Sequence, residues 1–112
     1  MAESNDGGEA FRRIGPREAK AMIDTGQATV VDVREGWEYA RDHIANATHT
    51  PLARIITKPQ EAIQSDNVIF VCEVGQRSAV AAEVAAALGK ERVYNLEGGM
   101  TAWRREQLPT DH

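Results

Sequence analysis

Short apolar runs alternate along this chain with amphipathic or alanine-rich stretches. Residues 68–71, Val-Ile-Phe-Val, have polar Ser65, Asp66 and Asn67 before them and Cys72 after them, which predicts a buried central strand. Residues 28–33 are β-branched and predict a second buried strand that stops around Asp32, Val33 and Arg34. Residues 93–96 predict a third, and residues 11–14 and 48–50 two shorter ones. Between them, Gly15 and Pro16 open a helix with Ala19, Met22 and Ile23 on its apolar face, and Gly26 ends it. Residues 37–42 supply a helical turn or two, residues 43–52 are largely irregular, and residues 59–64 form a short helix behind Pro59. The alanine-rich segment 78–88 is strongly helical and stops at Gly89-Lys90. Glu83 is its only charge, so both faces of that helix are expected to be covered. A last short helix over residues 101–106 ends before Pro109.

This alternation of strands and helices favours an α/β layer structure with a mainly parallel sheet, because parallel strands need crossovers that helices supply. The length of 112 residues and the 42% hydrophobic content suit one packed core, placed here in residues 11–108. Residues 1–10 are polar and acidic and are expected to be a flexible N-terminal tail, and residues 109–112 a C-terminal tail. A net charge of -4 with scattered basic residues argues against a nucleic-acid partner. No apolar stretch approaches the roughly 20 residues that cross a bilayer, and the N-terminus lacks signal-peptide character, so a cytoplasmic chain without a membrane partner is expected. One cysteine forms no internal disulfide, and three histidines show no zinc-like spacing, so no metal site is expected.

The chemistry concentrates where the central strand ends. Cys72 opens the loop Cys72-Glu73-Val74-Gly75-Gln76-Arg77, and Ser78 begins the helix. In open α/β sheets ligands bind at this strand-to-helix edge. Backbone N–H groups at a helix N-terminus lack intrahelical partners and can converge on one anionic atom, here the Cys72 sulfur as thiolate or persulfide. Gly75 permits the tight turn such a loop needs. The alternative is a buried structural thiol.

Three motifs carry a family resemblance. The first is Val30-Val31-Asp32-Val33-Arg34-Glu35 with Trp37-Glu38-Tyr39 and His43-Ile44; the second is the cysteine loop ending in Arg77-Ser78. The third is Asn95-Leu96-Glu97-Gly98-Gly99-Met100-Thr101-Ala102-Trp103. Across residues 14–108 the chain resembles the rhodanese-like domains. The resemblance implies a five-stranded, mostly parallel sheet flanked by helices, with the cysteine loop at its carboxyl edge. It also implies sulfurtransferase activity, in which Cys72 takes the outer sulfur of thiosulfate or a related persulfide or polysulfide donor and passes it to cyanide or a thiol. One cysteine suffices for such a transfer, and no metal or organic cofactor is needed, because thiolates cleave sulfur–sulfur bonds unaided.

On this reading Cys72 is the nucleophile and Glu73, Val74, Gly75, Gln76 and Arg77 surround the substrate. Arg77 either binds an anionic donor or pairs with a carboxylate under the loop. Ser78, Asp32 and Arg34 support the loop, with Asp32 expected to accept bonds from Arg77 or Ser78. His43 supports a turn, Tyr94 and Trp103 belong to the core or its rim, and Gly98 and Gly99 permit close backbone approach. Ala45-Asn46 replaces the Pro-Gly usual in the family after His43-Ile44, and Asn tolerates the left-handed conformation. Glu73 puts a carboxylate beside the nucleophile, where repulsion of the thiosulfate dianion is expected. A persulfide carrier working with a sulfur-relay partner protein, an inactive interaction domain, and a phosphatase remain as alternatives. Against the last, four residues separate Cys72 from Arg77, whereas the phosphatase signature has five.

Overall fold

The computed structural model describes residues 9–112; most of the segment expected as a flexible N-terminal tail, residues 1–8, lies outside the described residues. Five strands form one sheet: β1 (Arg12–Ile14), β2 (Thr29–Asp32), β3 (Thr48–His49), β4 (Val68–Val71) and β5 (Val93–Leu96), in the order β1-β5-β4-β2-β3. Every pairing is parallel, with β4 central between β2 (Val30 opposite Ile69) and β5 (Phe70 opposite Asn95). The helices are α1 (Pro16–Asp24), α2 (Gly36–Arg41), α3 (Leu52–Thr57), α4 (Pro59–Ala62), α5 (Gln76–Ala87) and α6 (Gly99–Arg105).

Side chains of β4 alternate between two cores, which is why its whole run is apolar. Val68 and Phe70 pack with Ile55 of α3, Ile63, and Ala81, Ala82 and Ala85 of α5. Ile69 and Val71 pack on the other face with Ala19 of α1 and with Met100 and Trp103 of α6.

Three expectations need correction. Helix α3 falls where no helix was expected; it buries Ile55 in a six-residue helix too short to show a period. Helix α5 starts at Gln76 rather than Ser78, because Gly75 takes the left-handed conformation (φ 98°) and lets the chain turn into the helix early. One face of α5 is also open, with Val80, Glu83 and Ala87 exposed; the inward alanines lie at i, i+1 and i+4, and the outward ones need no cover.

Residues 109–112, expected as a C-terminal tail, are held to the body of the domain. The backbone of Asp111 exchanges two hydrogen bonds with His43 (2.9 and 2.8 Å), and the Trp103 indole donates to Pro109 O at 2.9 Å. Asn46 adopts φ 67°, the conformation that Asn tolerates at the turn after Ile44.

After β2 the chain leads outward to β3, and after β4 it leads the opposite way to β5. The carboxyl ends of β2 and β4 therefore flank the switch point of the sheet, the position at which open α/β sheets bind ligands. Arg34 and α2 follow one of these strands, and Cys72 follows the other.

Candidate active site

Cys72 leaves β4 fully buried. The next turn is held from below by α6: Met100 N donates to Cys72 O at 2.9 Å and Thr101 N donates to Glu73 O at 3.0 Å. These are amides of the first turn of α6, otherwise without acceptors, so the helix start and the loop satisfy each other. Such closeness requires Gly99. A Cβ there would lie 2.6 Å from the carbonyl carbon of Glu73, and its φ of 59° is left-handed. The expected close approach at Gly98-Gly99 is thus an approach to the cysteine loop itself.

The sulfur of Cys72 is bonded by Gly75 N at 3.1 Å, Ser78 N at 3.3 Å and the Ser78 hydroxyl at 3.3 Å. Of these two amides Gly75 N belongs to the loop 73–77, and Ser78 N lies one residue beyond it. Gln76 and Arg77 occupy the first turn of α5 and have no preceding helical turn to bond. Val74 stands exposed at the loop tip.

Arg77 pairs with a carboxylate in this structure. Its guanidinium forms a forked pair with Glu38 of α2, both contacts at 2.9 Å. The pair holds the Glu38 carboxyl down at about 2, well under its ordinary 4.5. Glu38 also closes the start of α2 by accepting from Glu35 N at 2.9 Å.

Asp32 does not reach Arg77 or Ser78. It accepts instead from Arg34, through the side chain (3.0 and 2.8 Å) and the backbone N–H (3.0 Å). The bend after β2 turns both side chains into one buried pair, and Arg34 reaches the loop in its place by donating to Glu73 at 3.1 Å. Glu73 is accordingly no lone carboxylate facing a donor. It also accepts from Arg104 at 2.6 Å, Thr101 at 3.2 Å and Arg41 at 3.4 Å. Arg104 in turn grips Asp42 at 2.7 and 2.8 Å. Three carboxylates (Asp32, Asp42, Glu73) thus interleave with three guanidinium groups (Arg34, Arg41, Arg104), and the cluster carries no net charge. Hydrogen bonding to Arg104 sets the Glu73 and Asp42 carboxyls below their ordinary values.

His43 lies away from the sulfur and supports the α2 end: its Nδ1 donates to Tyr39 O at 2.8 Å, and its ring stacks on Tyr39 at 3.9 Å. Trp103 is buried in the core, and Tyr94 lies at its rim under the guanidinium of Arg12. Sequence reasoning gave no role to Glu38, Asp42, Asn95 or Arg104. Asn95 is a fully buried amide in β5 that donates to Gly75 O at 3.1 Å and accepts from the Ser78 hydroxyl. A polar residue inside an otherwise apolar strand was the signal that could have found it. Among the described residues no group of three or more His, Cys, Asp or Glu is placed to hold a metal ion, and no helix is long and apolar enough to cross a membrane.

Comparison with known proteins places this fold in a family. The family model described as "Rhodanese-like domain" matches residues 15–106. The chain belongs to the rhodanese-like family. It is 32% identical over 103 residues to thiosulfate sulfurtransferase GlpE of Actinobacillus pleuropneumoniae serotype 3, covering 92% of this chain and 95% of that one. Among solved structures, a rhodanese-related protein from Thermoplasma volcanium superposes with a TM-score of 0.81 at 30% identity, covering 90% of this chain and 98% of that one. A Rhodopseudomonas palustris protein described as a "possible tyrosine phosphatase" superposes with a TM-score of 0.80 at 26% identity, covering 99% of each. In the present rhodanese-like domain the loop arginine faces Glu38.

Proposed function

We propose that this rhodanese-like domain is a sulfurtransferase that carries sulfane sulfur as a persulfide on Cys72. The observation that supports this best is the pair of amides, Gly75 N and Ser78 N, directed at Sγ from a turn and a helix start. Such donors stabilise anionic sulfur at the point where a nucleophile must form. The thiolate attacks the outer sulfur of thiosulfate, or of another persulfide or polysulfide; the donor's sulfur–sulfur bond breaks, and with thiosulfate sulfite leaves. Cyanide or a thiol then attacks the outer sulfur of the Cys72 persulfide and returns the thiolate. The outer sulfur sits among the loop residues Glu73, Val74, Gly75, Gln76 and Arg77, above the Asp32–Arg34 pair and Ser78. The reaction needs no cofactor, and a reducing cytoplasm suits a free thiol.

A second reading, a persulfide carrier loaded by a partner protein, draws on two observations. Cys72 is fully buried, and both Arg77 and Glu73 are tied to partners within the domain. Intact mass after incubation with thiosulfate, polysulfide or a cysteine desulfurase tests both readings. A gain of about 32 Da, one sulfur atom, that cyanide or reductant removes is expected in the wild type and not in Cys72→Ser. Loading by thiosulfate at a rate similar to a protein donor supports the free enzyme; loading by the protein donor alone supports the carrier. No adduct from any donor, or an adduct on Cys72→Ser, overturns the persulfide mechanism.

A further inference from the structure

Asn95 fixes which way the hydroxyl of Ser78 points. A carbonyl only accepts, so the Asn95 atom facing Gly75 O at 3.1 Å is its Nδ2 donor, and Oδ1 is left facing Ser78. Oδ1 has no proton to give, so the hydrogen bond between them carries the proton of Ser78. The same Ser78 Oγ lies 3.3 Å from Cys72 Sγ. A hydroxyl has one proton, and here Asn95 takes it; what Ser78 offers the sulfur is an oxygen lone pair. All three side chains are fully buried, so water does not substitute for any of these contacts.

We propose that Asn95 is a positioning residue that holds Ser78 as a hydrogen-bond acceptor toward Cys72, so that the resting nucleophile is kept as a thiol donating its S–H to Ser78 Oγ. The loop then acts on the sulfur with two opposed influences. The amides of Gly75 and Ser78 favour the anion, and the Ser78 lone pair favours the proton. If the Ser78 hydroxyl turns to the thiolate instead, Asn95 Oδ1 is left buried without a donor, which opposes the turn. The nucleophile is therefore restrained in the resting domain.

This inference rests on Cys72 being the reactive group of the proposed transfer, and alkylation tests it without any sulfur transfer. The measurement is the iodoacetamide alkylation rate of the full chain at about pH 6 divided by that at about pH 9.5; the ratio cancels differences in access to the buried sulfur and leaves the thiolate fraction. Ser78→Ala removes the lone pair and is expected to raise this ratio roughly threefold to tenfold. Asn95→Ala frees the Ser78 proton to turn toward the sulfur and should raise the ratio too. In the Asn95→Ala background, adding Ser78→Ala removes a donor and should lower the ratio. This reversal of sign between backgrounds is something a merely structural role for Asn95 does not produce. An unchanged or lower ratio in Ser78→Ala, or the same effect in both backgrounds, overturns the proposal. If Ser78→Ala does not fold, Asn95→Ala decides alone, an unchanged or lower ratio being fatal. Should the alkylation pattern hold while no donor loads sulfur, the transfer reading fails and the proton arrangement stands.

Discussion

Arg77 donates through both terminal nitrogens to the two carboxylate oxygens of Glu38, each at 2.9 Å, and so fastens the start of α5 to α2 beside the cysteine loop. Glu38 is nearly buried, which makes the pair less screened than an ion pair on the open surface. Breaking it strands a carboxylate or a guanidinium beside the loop.

Acid sensitivity follows from that pair. The Glu38 carboxyl is held at about 2 when folded against an ordinary 4.5, so its contribution to stability is complete above about pH 4.5 and is lost as pH falls toward 2. Glu73 and Asp42 are lowered in the same direction and add to the slope. Urea unfolding midpoints should fall across this range in the wild type, and Glu38→Gln should flatten the fall while costing about 1–3 kcal/mol near neutral pH. An equal acid slope in the variant refutes the assignment.

Glu73 leads to the opposite expectation from the one its sequence position suggests. A carboxylate beside the nucleophile reads as a barrier to thiosulfate, but this one is neutralised by Arg34, Arg41 and Arg104 and anchors the loop to α6. Glu73→Ala should therefore slow sulfur loading on the order of tenfold with thiosulfate and with an uncharged donor alike, and lower stability by about 1–3 kcal/mol. The loss should differ little between low and high salt. A gain confined to thiosulfate at low salt would restore repulsion as the main effect.

Strand periodicity made the sheet readable in advance: the run 68–71 and the β-branched run 28–33 are β4 and β2 within a residue or two. The cysteine loop was readable for the same reason, because it begins where the run 68–71 stops. Helix α3 was not, since six residues are too few to show a period and the β-branched Ile55, Ile56 and Thr57 offset the helix-forming Leu52, Ala53 and Arg54. The polar framework was also invisible, because its pairs span long separations: Arg77 to Glu38, Arg34 to Glu73, Arg104 to Asp42. Charges have no period, and their partners are set only once β2, β4 and α6 are brought to one edge. Asp32 shows the consequence: its place at the strand end was clear, but its partner is Arg34, two residues on, rather than the cysteine loop.

Gly99 should tolerate no side chain. Its left-handed φ of 59° costs an alanine about 1–2 kcal/mol, and overpacking against the Glu73 carbonyl costs about 1–3 kcal/mol more. Gly99→Ala should thus lose about 2–5 kcal/mol in chemical denaturation, together with sulfur loading, because the clash falls on the backbone next to Cys72. Gly15→Ala is the control: a Cβ there meets nothing within 4 Å, and its φ of -81° suits any residue. Equal losses in the two variants would show that the close approach at Gly99 has no special weight.

Aryl phosphate hydrolysis should be absent, although one structural neighbour is described as a possible tyrosine phosphatase. Cleaving a phosphate monoester through a cysteine requires a cradle for three equatorial oxygens and a cation directed at them. In this loop Gly75 N and Ser78 N already bond the sulfur, and the guanidinium of Arg77 is turned to Glu38. Four intervening residues leave a ring sized for one sulfur atom rather than a tetrahedral group. Incubation with p-nitrophenyl phosphate should release no more phenolate than Cys72→Ser does. Inserting one glycine after Gly75 widens the ring, and combining that insertion with Glu38→Ala also frees Arg77, so weak turnover should arise in the combined variant first. Strong turnover by the unmodified protein, lost in Cys72→Ser, would show instead that Arg77 leaves Glu38 when an oxyanion enters, and would move the chain's chemistry from sulfur to phosphorus.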